Sequence, residues 1–113
     1  MTSENSYIEN GKMALLAEAK AIELAANRIG ADFNSAVDAI LKSNGKVVVT
    51  GMGKSGHIAR KTASTLSSTG TSSFFVHPSE ALHGDFGMLQ STDVLITIAY
   101  GGETHEVIEF TKF

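Results

Sequence analysis

Apolar residues recur at three- and four-residue steps along the front of the chain, where Ile8, Leu15, Ala19, Ile22, Ala26 and Ile29 form one stripe. That spacing predicts a helix over about Ser6 to Ile29, with Gly30 as its stop. Asp32 or Asn34 can cap a second helix, whose apolar side carries Phe33, Val37, Ile40 and Leu41. Asn44-Gly45 would end it. The period then changes. Lys46-Val-Val-Val-Thr50 is a short β-branched run, the mark of a buried strand. Gly51 to Gly56 turns the chain, and a helix rich in Ala, Ser and Thr follows from about Ser55 to Thr69, broken by Gly70. Ser73-Phe-Phe-Val-His77 reads as a second strand and Asp93-Val-Leu-Ile-Thr-Ile-Ala99 as a third. A loop with a short helical turn joins them over Pro78 to Thr92. Gly101-Gly102 turns again, and a helix is expected from Glu103 to Phe113.

Strand, helix, strand, loop, strand, helix is the order of an α/β protein with a parallel sheet. Three strands are few for such a sheet, and the third would leave an open edge. The chain therefore reads as the N-terminal portion of a larger domain.

Composition narrows the function. With 113 residues there is room for one small domain, and with 42% apolar residues there is enough material for a core. The net charge is −3 and no block of Lys or Arg stands out, so a nucleic-acid partner is not expected. There is no cysteine, which removes disulfide scaffolds and Cys-ligated zinc. The polar start and the short apolar runs point to a cytoplasmic protein that does not enter a membrane.

Gly51-Met52-Gly53-Lys54-Ser55-Gly56 fits G-x-G-x-x-G in a strand–turn–helix setting. Dinucleotide binding wants an acid near the end of the second strand, yet that strand ends Phe75-Val76-His77 and the first acid is Glu80, after a proline. A nucleotide P-loop wants glycine where Val48 stands. Both readings fall. Lys54 is left either as a solvated loop lysine or as a fixed positive charge at a helix N-terminus, able to hold a phosphate or a developing oxyanion.

Five stretches in order carry a resemblance: Gly45-Lys-Val-Val-Val-Thr-Gly-Met-Gly-Lys-Ser-Gly-His57, Ser68-Thr-Gly-Thr71, Phe74-Phe-Val-His-Pro-Ser-Glu-Ala81, His83-Gly-Asp-Phe-Gly-Met88 and Gly102-Glu-Thr104. Together they resemble the arabinose-5-phosphate isomerase family of the sugar isomerase (SIS) domain. The resemblance implies a flavodoxin-like three-layer α/β/α sandwich on a five-stranded parallel sheet. Residues 1–113 would be its N-terminal part, with 1–44 a helical lead-in and 45–113 a truncated βαβ core. It implies interconversion of ribulose 5-phosphate and arabinose 5-phosphate, on the way to the Kdo sugar of lipopolysaccharide. It also implies a homo-oligomer, commonly a tetramer, and in longer members a pair of CBS domains.

Carried over by position, the resemblance makes Lys54, Glu106 and His83 catalytic. Ser55, Gly70, Thr71, His77, His83, Gly101, Gly102, Glu103 and Thr104 would contact substrate. No cofactor is required, although a zinc ion can meet His77 in relatives. The spacing of His77, His83 and Asp85 matches no metal motif. Further site residues are expected beyond Phe113, so the 113 residues alone are expected to be inactive.

The chemistry fits these residue types. An aldose–ketose isomerase moves a proton between two adjacent sugar carbons through an enediol. It needs a base that returns the proton and a positive or hydrogen-bonding group on the neighbouring oxygen. A carboxylate such as Glu106 can be the base where burial raises its pKa toward neutrality, and a histidine such as His83 can open the sugar ring. One departure stands out. The family's phosphate loop after the third strand carries serines, where this chain has Ala99-Tyr-Gly-Gly-Glu-Thr104. That change also permits a second reading, a module that binds a sugar phosphate without turning it over.

Overall fold

The computed structural model describes residues 3–82 and 85–100. They fall into two compact units, residues 1–37 and residues 38–113.

The first unit is dominated by helix α1 (Ser3–Arg28), followed by the start of helix α2 (Ala31–Lys42). Glu4 in the first turn of α1 and Arg28 in its last suit the helix dipole. The expected apolar stripe is present but uncovered, and Ile22 is 71% exposed. Helix α2 starts earlier than its expected caps. The Phe33 N–H donates to the Gly30 carbonyl at 3.0 Å, so Asp32 sits inside the first turn and not before it. There its carboxylate is favoured by the helix dipole without capping by its side chain.

The second unit holds a three-stranded parallel sheet in the order β2–β1–β3, made of β1 (Val47–Gly51), β2 (Ser73–Phe75) and β3 (Val94–Ile98). Every residue of β1 is buried, which explains its continuous run of β-branched residues. Helix α3 (Gly53–Ser68) links β1 to β2, and a short helix α4 (Pro78–Leu82) with a 3-10 turn (Asp85–Met88) leads to β3. Alternation along β1 splits the core into two faces. Val47 and Val49 pack with Ala59 and Ala63 of α3, joined by Leu66, Phe75, Ile96 and Ile98. Val48 packs with Val76 and Ala81 on the other side, joined by Phe74 and Leu89. Burying each of these valines contributes about 1.5–3 kcal/mol. Helix, sheet and helix form the three layers that the resemblance implies.

Strand β2 is shorter than expected. Val76 still donates its N–H to the Val49 carbonyl at 3.0 Å. Its own carbonyl, however, accepts the buried Thr50 hydroxyl, and Pro78 then opens α4. His77 therefore leaves the ladder. Helix α3 also starts earlier than expected, which places Lys54 and Ser55 in its first turn.

Candidate functional site

Strand β1 lies between β2 and β3, so the chain leaves it to one side through α3 and crosses to the other through α4. In an open parallel sheet this reversal makes a crevice beyond the carboxyl ends of the strands, and ligands bind there. Lys54, Ser55 and His77 all stand at that end.

Local packing dictates the glycines around Lys54. Gly53 adopts φ +56°, a left-handed conformation that a side chain rarely tolerates. A Cβ on Gly56 would lie 2.7 Å from the Gly51 carbonyl oxygen, so glycine here lets α3 sit directly on the end of β1. Met52 precedes the helix in an extended conformation and supplies no side-chain cap. The first internal bond runs from the Gly56 N–H to the Met52 carbonyl at 3.1 Å. The amides of residues 53–55 thus come before the helical hydrogen-bond ladder, at the positive end of the helix dipole. Lys54 is exposed and Ser55 half-buried in this turn. An anion placed here would meet backbone donors and the Lys54 cation.

His77 follows β2 and is half-buried. Its Nδ1 accepts the Ser79 backbone N–H at 3.2 Å, and its carbonyl accepts the Ala81 N–H at 3.0 Å. Its ring meets Phe75 edge-on, with centroids 6.4 Å apart. The Arg60 guanidinium covers the Phe75 ring at 4.1 Å. The partnership of Ser79 with His77 had no signal in the sequence, because a backbone N–H carries no letter.

Gly70 and Thr71 do not join this group. They follow the last turn of α3, at the opposite end of the sheet, and their backbone closes that helix. The Gly70 N–H donates to the Ser67 carbonyl at 3.3 Å and the Thr71 N–H to the Leu66 carbonyl at 2.9 Å. With Gly70 at φ +101°, this is a Schellman cap. His83, Gly101, Gly102, Glu103, Thr104 and Glu106 lie outside the described residues. A cavity of about 770 Å³ also opens at the far end of the sheet, lined by Lys46, Ser73, Phe74, Met88 and Asp93 among others. Phe75, whose ring meets His77, also lines it, but Lys54, Ser55 and His77 do not.

Fold and site define a parallel α/β module with an anion-ready helix turn at its switch point. A family model for the SIS domain matches residues 40–112, more than half of the chain, and the chain belongs to that family. It is 52% identical over 102 residues to arabinose 5-phosphate isomerase GutQ of Escherichia coli, covering 90% of this chain and 32% of that protein. It is 44% identical over 108 residues to arabinose 5-phosphate isomerase KdsD of Pseudomonas aeruginosa, covering 96% of this chain and 33% of the relative. Among solved structures, an Escherichia coli CFT073 protein in complex with arabinose 5-phosphate matches with a TM-score of 0.89 at 43% identity. That match covers 94% of this chain and 56% of the other. The chain thus spans about a third of the length of the curated relatives it matches.

Proposed function

We propose that the whole protein is a sugar-phosphate aldose–ketose isomerase that interconverts D-arabinose 5-phosphate and D-ribulose 5-phosphate. The observation that carries this reading is the position of Lys54, in the uncapped first turn of α3 at the switch point of a SIS-domain sheet. The relatives' names and the arabinose 5-phosphate complex support the substrate.

In this reading Lys54 stabilises the oxyanion of the enediol as it forms, and Glu106 carries the proton between the two carbons. His83 assists ring opening, and His77 contacts the substrate. The loop from Gly101 to Thr104 faces the phosphate. The protein acts as a homo-oligomer in the cytoplasm and feeds the Kdo branch of lipopolysaccharide synthesis. Among the described residues no helix is long and apolar enough to cross a membrane. Activity is assigned to a chain of the relatives' length, about three times this one. The 113 residues alone are expected not to turn sugar over.

The test is an assay of conversion in both directions by the whole protein and by its Lys54→Met variant. Turnover that falls by a factor of about 10²–10³ in the variant supports the assignment. Binding of arabinose 5-phosphate without turnover by the unaltered protein would favour the second reading, a sugar-phosphate sensor.

A further inference from the structure

We propose that His77 meets its ligand as a hydrogen-bond donor through Nε2–H, and does not act as a metal ligand. Pro78 opens α4 and has no N–H, so Ser79 carries the first free amide of the turn. His77 caps it. Its Nδ1 takes the Ser79 N–H at 3.2 Å, while its carbonyl takes the first helical bond, from Ala81 at 3.0 Å.

A neutral imidazole that accepts at Nδ1 carries its proton on Nε2. A zinc-bound histidine has the reverse arrangement, with one nitrogen on the metal and the other donating its N–H outward. Here the outward role is already filled by a nitrogen that accepts. Ligation through Nε2 would require either an imidazolate or the loss of the Ser79 bond and with it the cap of α4. Turning the ring to offer Nδ1 instead would give up the same Ser79 bond and the edge contact with Phe75. Among the described residues, no group of three metal-ligating side chains gathers around it. An Nε2–H at the switch-point end of the sheet suits an acceptor oxygen, either a hydroxyl or a phosphate oxygen. That identification of the acceptor rests on the sugar-phosphate reading, whereas the tautomer does not.

Two experiments on the full chain separate these points. The first is long-range proton–nitrogen NMR with isotope-labelled histidine and no sugar present, with the His77 signals assigned by their loss in His77→Gln. The Nε2–H tautomer, unmoved by equimolar zinc, is the expected result. A proton on Nδ1, or a zinc-induced shift of Nε2, overturns the proposal even if the protein proves to be an isomerase. The second compares arabinose 5-phosphate binding by His77→Gln and His77→Asn. The Gln amide nitrogen falls near Nε2 and the Asn amide nitrogen near Nδ1. His77→Gln should bind within about threefold of the unaltered protein, and His77→Asn about tenfold or more weakly. Equal losses in both variants would contradict a donor role at Nε2.

Discussion

The carboxylate of Asp93 ties the start of β3 to the start of β1, through a 2.8 Å bond from the Lys46 backbone N–H to its Oδ1. Its other oxygen accepts the Gln90 N–H, also at 2.8 Å. These two backbone donors hold the Asp93 carboxyl below its ordinary value of 3.8, the Lys46 bond most of all. Because the folded value is depressed, the stabilisation is complete above the unfolded value and disappears as pH falls through the folded one. Asp93→Asn should therefore melt at a lower temperature than the unaltered chain near neutrality. The gap should close as pH drops below about 4. Thermal unfolding at a series of pH values reads this directly, and a gap that persists in acid would show that the charge is not what matters.

Gly56 offers a second test. A Cβ there meets the Gly51 carbonyl oxygen at 2.7 Å, so Gly56→Ala must push α3 away from β1. The expected cost is about 1–3 kcal/mol, seen in denaturant unfolding. Gly53 has the opposite problem: open space but a left-handed backbone. Asparagine tolerates that conformation, so Gly53→Asn should cost less than Gly56→Ala. The reverse order would mean that the turn, and not the helix–strand contact, controls this corner.

Much of the sheet was legible in the sequence, for a physical reason. The valines of β1 are buried on both faces, and such strands announce themselves as unbroken apolar runs. The glycine turn and the helix after it followed from the same logic. The ends of elements did not. Strand β2 loses His77 because the Thr50 hydroxyl takes the Val76 carbonyl, a contact across 26 residues that no local pattern encodes. Gly70 and Thr71 were expected beside the substrate, yet in this chain they cap α3 at the far end of the sheet. Glycine after a helix has two readings, and only the topology separates them. Lys54 and His77 are brought to one end, as a parallel sheet requires of residues that follow its strands.

The loop after β3 supplies a third prediction. In the proposed reading this loop takes the phosphate, and Ala99 and Gly101 stand where the resemblance implies serines. Changing Ala99→Ser and Gly101→Ser together should tighten arabinose 5-phosphate binding by about 1 kcal/mol or more per hydroxyl. Unphosphorylated arabinose should gain less. Calorimetric titration of both sugars gives the comparison. Equal gains, or none, would place the phosphate elsewhere.

Proton transfer between adjacent sugar carbons, as proposed, is read by deuterium exchange. The whole protein, at its relatives' length, is incubated with arabinose 5-phosphate in deuterium oxide and the sugars are followed by NMR. Ribulose 5-phosphate should appear, deuterium should enter at the carbon beside the carbonyl, and Lys54→Met should slow both by a factor of about 10²–10³. Tight binding with neither a new sugar nor deuterium in the old one would contradict proton transfer.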